Sequence, residues 1–310
     1  TRFDRGALDR PKVSISTPSI SRPLHSSWSL DGAGNWITVD GISRKYSSFN
    51  EVTELGSDNP VAISHDKNGN IIDSGVYRFT WDFKNRPRQV IRKSDGAITA
   101  TYSYDAASRR IRKKTHQITD YFYDDWSVIG VYDGNGALLR QFTYGAKTDE
   151  LLLLDTNANH DNAASGPGDE RLVYHQGPGW SVYALTDQSG AIAEGYQYNA
   201  YGKASVFLPG KRSKVDFVPK DNIAPKEQSA NANPYLFTGR RFDPETGNYN
   251  YRARYLDPIE GRFLQRDPIG IWKDVASLGN GYAYVGNNPI NWRDPLGLTK
   301  VDMDFEEADS

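Results

Sequence analysis

One short phrase returns along the first two thirds of the chain. It runs aromatic or apolar, any residue, aromatic, aspartate, then a small polar turn and an alternating strand. It stands as WSLDGAGNWITV (28–39), ISHDKNGNIIDS (63–74), FTWDFKNRPRQVI (79–91) and YSYDAASRRIRKK (102–114). Later copies are GVYDGNGALLRQFTY (130–144), YALTDQSGAIAEGYQY (183–198) and YQYNAYGKASV (196–206). Asp31, Asp66, Asp82 and Asp105 stand 35, 16 and 23 residues apart, and the long gap holds a degenerate copy at YSSFNEVTEL (46–55). A unit of about twenty residues cannot bury a face alone and must stack on its neighbours, so the repeat predicts an array.

Each unit reads as a hairpin. Asp-Gly, Asn-Gly and Ser-Gly steps supply left-handed turn residues, and the flanks alternate apolar with polar, as in ALLRQFTYG and AIAEGYQYNAYG. Glycine weakens regular structure, so the 28 glycines are explained best as turns. The competing fold is a meandering β-sandwich in which the 19 tyrosines are simply core. The array is favoured because Tyr-x-Tyr-Asp is repeated and not merely frequent.

Several function classes lose support. A net charge of -2 argues against bulk attraction to nucleic acid or acidic membranes. No apolar run approaches the ~18 residues that span a bilayer; the nearest is 151–154. With no cysteine there are no disulfides, thiolate metal sites or cysteine nucleophile, which suits cytoplasm and exterior alike. Motifs of serine hydrolases, zinc proteases and phosphate-binding loops are absent, and the five histidines are scattered. The opening TRFDRGALDR is neither a methionine start nor a signal peptide, so the sequence reads as a piece of a longer protein.

Two stretches, 155–170 and 208–233, lack strand periodicity and read as surface-loop insertions. In the first, Asp155, Asn157, Asn159 and Asp161 alternate oxygen ligands as a calcium loop begins. His160 stands where that loop needs Gly, and Gly166 where it needs Glu. The plainer reading is a solvated hairpin tip, and no cofactor is expected.

The candidate chemistry lies in four Asp-Pro pairs, at Asp243, Asp257, Asp267 and Asp294, each followed by Gly. All four suit turns: Asp bonds the backbone ahead, Pro presets the next position, and Gly completes the turn. Asp267 and Asp294 alone share the Asp-Pro-x-Gly spacing, and each follows an arginine. A fold-back between them would set two carboxylates face to face, able to share one proton in the manner of an aspartic protease dyad. Arg266 or Arg293 would keep such a pair from full protonation. For the fold-back, WKDVASLGN (272–280) predicts a short helix closed by a Gly279-Asn280-Gly281 turn, with a further turn at VGNNP before INWRD. Trp272, Tyr282, Tyr284 and Trp292 are expected to plug the end of the array.

The repeated phrase resembles the YD repeats of the RHS (rearrangement hotspot) family. YLFTGRRFDPETGNYNYRARYLDPIEGRFLQRDPIG (235–270), continued by YAYVGNNPINWRDPLGL (282–298), resembles the RHS repeat-associated core. The resemblance implies an all-β YD-repeat hairpin strip (1–234) curling into a spiral shell. An RHS core (235–298), with at most short helices, would close it, and an acidic tail (299–310) would follow. In toxin-shell members the shell encloses a C-terminal effector and cuts it free with aspartates of the two motifs. Carried over, the pair is Asp267 with Asp294, Arg266 is the supporting cation, and the bond is Leu298–Thr299. The implied partners are the effector segment or other parts of a larger exported, bacterial-type RHS protein, with neither nucleic acid nor a membrane span. The twelve residues after Leu298 are too short to fold, which predicts a shortened or vestigial tail. Two other readings remain: a non-catalytic structural or adhesive YD-repeat module binding a cell-surface protein, and a carbohydrate-binding surface whose aromatic rows stack on sugars.

Overall fold

Most copies of the phrase close on their aspartate. Asp31 accepts backbone N–H bonds from Ala33 and Asn35, both at 2.9 Å, and Asp66 does the same for Asn68 and Asn70. Asp82, Asp133 and Asp187 repeat this grip on the residues two and four ahead. Asn199 serves in the copy that lacks Asp, and the Ser47 hydroxyl serves in the degenerate copy, accepting from Phe49 and Glu51. The aromatic before the acid staples the hairpins together. Tyr104, Tyr123 and Tyr198 donate their hydroxyls to the carbonyls of Pro87, Arg110 and Val182 in an earlier strand. Trp81 donates its indole N–H to Ile71 in the same way. Local turn chemistry therefore explains the Asp, and a bond to the preceding strand explains the aromatic.

The computed structural model describes residues 27–161, 163, 164, 166–207, 229, 233–270 and 279–303, with 214–216 by backbone alone. Five antiparallel strands between 28 and 62 form one meander, and fifteen between 64 and 216 form a second, each strand beside its sequence neighbours. The register shifts at Thr80/Trp81, Ser103/Tyr104, Phe122/Tyr123 and Thr143/Tyr144. Such bulges at the aromatic positions increase twist and bend an open sheet. A four-stranded sheet between 241 and 263 and a two-stranded pair, Trp292–Arg293 with Val301–Asp302, complete the chain. Among the described residues the only helical pieces are short 3-10 turns, such as Phe237–Gly239 and Tyr284–Asn287.

The protein is thus an all-β strip, and alternation assigns its faces. Phe142, Leu154 and Leu172 pair directly across neighbouring strands and are buried. They share one core with Leu236, Tyr249, Tyr251, Phe263 and Tyr284 of the C-terminal segment. A second core joins Phe79, Val90, Ala100 and Tyr102 of the strip to Tyr255 and Leu264. The opposite face leaves Ile98, Phe122 and Ile192 exposed. The insertion at 155–170 is the connection between the strands Leu151–Thr156 and Glu170–Gln176. Most of 208–233, the helix expected over 272–280 with Trp272 (save Gly279 and Asn280), and the tail beyond Met303 lie outside the described residues.

Ion pairs lock the C-terminal segment to the strip. Arg110 and Asp243 form a two-bond fork at 2.5 and 2.7 Å, both side chains fully buried. Lys113 pairs with Glu245 at 3.1 Å, and Arg44 with Glu260 at 2.7 Å. Of the predicted plug, Tyr282 and Tyr284 are buried, and Trp292 is partly buried against the core.

Candidate functional site

Arg254 opens the strand Arg254–Asp257 and is buried, its guanidinium 3.7 Å above the Phe263 ring. Its Nη2 lies 3.3 Å from Oδ2 of Asp267 and 3.1 Å from Oδ2 of Asp294. Two carboxylates 27 positions apart in sequence therefore converge on one nitrogen. Its Nε donates to the Gly297 carbonyl at 2.6 Å and its Nη1 to the Gly281 carbonyl at 3.3 Å. Charge-assisted bonds on all three nitrogens fix the cation and everything it touches.

Backbone pairing positions each acid. The Asp267 N–H donates to the same Gly281 carbonyl at 2.9 Å, and Asp267 Oδ1 accepts from Ile269 N–H at 3.0 Å. Asp294 directly follows the strand Trp292–Arg293, which pairs with Val301–Asp302 and so closes the loop between them. Ala253 N–H reaches the Leu296 carbonyl at 3.1 Å, laying this loop along the Arg254 strand. Gly297 sits at φ +69°, and a Cβ there would strike the Tyr251 carbonyl, so only glycine fits.

The buried Asp294 carboxylate also touches the bond singled out in the sequence. Its Oδ1 accepts from the N–H of Leu298 at 2.9 Å and of Thr299 at 3.2 Å. The second of these is the nitrogen of the Leu298–Thr299 peptide. Burial pushes the Asp294 carboxyl above its ordinary pKa, opposed by Arg254 and by the two N–H bonds. Arg254, Asp267, Gly281, Asp294 and Leu298 line a cavity of about 10 Å³, room for one water. Leu298 is half-buried and Thr299 exposed.

The other candidates lie elsewhere. Arg266 makes its ion pair with Glu51 at 2.7 Å, and Arg293 is buried beside Gly179. The cation between the aspartates is Arg254, which the sequence reading passed over. Its signal was available: in the aromatic hairpin NYNYRARYLDP, Arg254 alternates onto the buried face, and buried cations need carboxylates. Asp243 is held by Arg110. Asp257 closes a turn onto Ile259 and Glu260.

No family model matches the sequence. A tRNA3(Ser)-specific nuclease WapA of Bacillus spizizenii is 35% identical over 279 residues, covering 87% of this chain and 11% of that protein. A probable deoxyribonuclease RhsA of Dickeya dadantii is 26% identical over 233 residues, covering 73% of this chain and 14% of that protein. The structure of a Photorhabdus luminescens Tc holotoxin pore with a TccC3 variant matches 92% of this chain at a TM-score of 0.53 and 14% identity. The chain belongs to the RHS family.

The RHS chain spans about a tenth of the length of these curated relatives, and its fold is that of RHS shell proteins. In its 155–170 insertion, Asp155 is paired with Arg171 at 2.6 Å, and Asn157 donates to the Leu138 carbonyl. Asn159 and Asp161 bond each other at the exposed tip. Among the described residues no three acidic or histidine side chains converge as a metal site. None of its described helices is long and apolar enough to cross a membrane.

Proposed function

We propose that this RHS chain forms part of a β-shell that encloses a C-terminal segment and cuts itself between Leu298 and Thr299. The observation that carries the reading is the bond from Thr299 N–H to Asp294 Oδ1 at 3.2 Å, beside Asp267 and under one shared guanidinium. The acid intended to act is already in contact with the bond intended to break.

In the proposed reaction Asp267 takes a proton from a water in the cavity, and the water oxygen attacks the Leu298 carbonyl carbon. Asp294, whose burial favours the protonated form and which lies on the N–H side of the peptide, delivers a proton to the Thr299 nitrogen as the C–N bond breaks. The proton lost by water stays on Asp267, so a single turnover leaves the pair sharing one proton as before. Arg254 holds both carboxylates at fixed separation. Because the substrate is tethered four residues from Asp294, effective concentration offsets a modest catalyst. The partners on this reading are the segment after Leu298 and the rest of a larger, exported RHS protein.

A non-catalytic scaffold is the second reading, favoured by the turn-closing bonds that Asp267 and Asp294 both make. Intact mass of the chain, beside Asp267→Asn and Asp294→Asn, separates the two. Self-cleavage requires a wild-type product ending at Leu298 and full-length variants. A wild type that stays whole across the pH range leaves the scaffold. A cut between an Asp and its Pro reports acid-labile bonds and counts against the enzyme.

A further inference from the structure

A second cavity lies where the turn side of the strip meets the C-terminal segment. It has about 40 Å³ of free volume, and its lining includes Trp126, Asp149, Tyr235, Arg240, Arg241 and Arg252. It shares no lining residue with the aspartate cavity. Trp126, 36% exposed, stands on its rim.

The charges in this cavity do not balance. Arg240 and Arg252 both pair with Oδ1 of Asp149, Arg252 at 2.8 Å. Arg241 lies 4.0 Å over the Tyr121 ring and has no ion pair with a carboxylate among the described residues. The acid whose charge it feels, Asp243, is already engaged by Arg110 and Lys113. Two guanidinium groups thus share the Asp149 carboxylate, and a third beside them has none of its own among the described residues. Burial and the neighbouring Arg252 push the Arg240 guanidinium well below its usual range, a measure of the cost of this crowding.

The hydrogen bonding is unfinished in the same place. The buried Nε and Nη1 of Arg241 and the Nε of Arg240 have no partner among the described residues, and neither does Oδ2 of Asp149. Buried donors left unmade cost free energy, more so when charged. A group completing this set must accept from guanidinium nitrogens and donate one hydrogen bond to a carboxylate. A carboxylate ligand accepts only; hydrogen phosphate does both.

We propose that this cavity is a phosphate-binding site, taking inorganic phosphate or the phosphate of a monoester between Arg240, Arg241 and Asp149. Its negative charge offsets the surplus guanidinium, and its hydroxyl meets Asp149 Oδ2. Arg240 and Arg252 also donate to the Pro295 carbonyl, which joins the site to the Asp294 loop, but phosphate binding does not require the proposed cleavage.

The test is titration of the whole chain with sodium phosphate by calorimetry and by thermal shift, against sodium acetate and sodium chloride at equal ionic strength. Saturable heat and a rise in Tm with phosphate, exceeding both controls, are expected. Arg241→Gln should weaken phosphate binding about tenfold or more, the loss of a charged hydrogen-bonding group. In chloride alone that variant should melt close to wild type, since the buried guanidinium it removes has no carboxylate partner of its own among the described residues. Phosphate no better than chloride overturns the site, and the wild-type comparison decides this even if the variant misfolds. Acetate equal to phosphate overturns the assignment to phosphate, and undiminished binding by Arg241→Gln overturns the role of Arg241.

Discussion

Arg110 and Asp243, 133 residues apart, face each other as a two-bond fork with no solvent-accessible side-chain surface. Arg110 belongs to a strand of the strip and Asp243 to the C-terminal sheet. The pair fixes the lateral position of the second upon the first. Removing one member leaves a buried charge alone. Asp243→Ala should therefore destabilise the chain by about 3–5 kcal/mol. The double change Arg110→Met with Asp243→Leu should recover most of that loss. Urea unfolding of the wild type and the two variants measures both, and a double variant no better than Asp243→Ala refutes the account.

Acidity tests the same pair with a definite sign. Arg110 and Lys113 hold the Asp243 carboxyl down to about 2 although burial opposes them. Its folded pKa is below its unfolded value of about 4. The stability it contributes is thus present above pH ~4 and is lost as pH falls towards 2. Asp294 is shifted the other way, so its contribution is complete below pH ~4 and declines as pH rises through its raised value. Melting temperature against pH should show the acid loss flattened in an Asp243→Asn variant.

Arg254 bonds through all three of its guanidinium nitrogens. A lysine keeps the charge but not the planar fork. If the chain cleaves itself, Arg254→Lys should slow the reaction about a hundredfold, the scale of a misplaced catalytic group, and leave the hairpin strip folded. Product against time by mass spectrometry, with circular dichroism as the control, gives the answer. Cleavage at the wild-type rate would show that the guanidinium does not position the acids.

Gly297 holds a left-handed conformation pressed against the Tyr251 carbonyl. Gly297→Ala should cost about 1–3 kcal/mol through strain at that φ and displacement of the loop. It should also separate Asp294 from Thr299. The expected result is a lower Tm and, if the wild type cleaves itself, an uncleaved chain. An unchanged Tm would mean that the loop has another seat.

The sequence by itself determined the hairpins, because the bonds that make them are local. An acid at position i that grips N–H groups two and four ahead, as Asp31 and Asp133 do, needs nothing beyond its own turn. Ser47 and Asn199 performing the same grip explain why even the degenerate copies were legible. Alternation likewise assigned one face of the strip to burial. The site was half legible: Asp267 and Asp294 stood out by their matched turns, but turn chemistry says nothing of what a carboxylate meets across the chain. Only the tertiary structure brought both onto Arg254, set Arg266 against Glu51, and laid Asp294 on the Thr299 nitrogen. Those contacts join residues on separate strands and loops, and their geometry is fixed by the register of one sheet upon another.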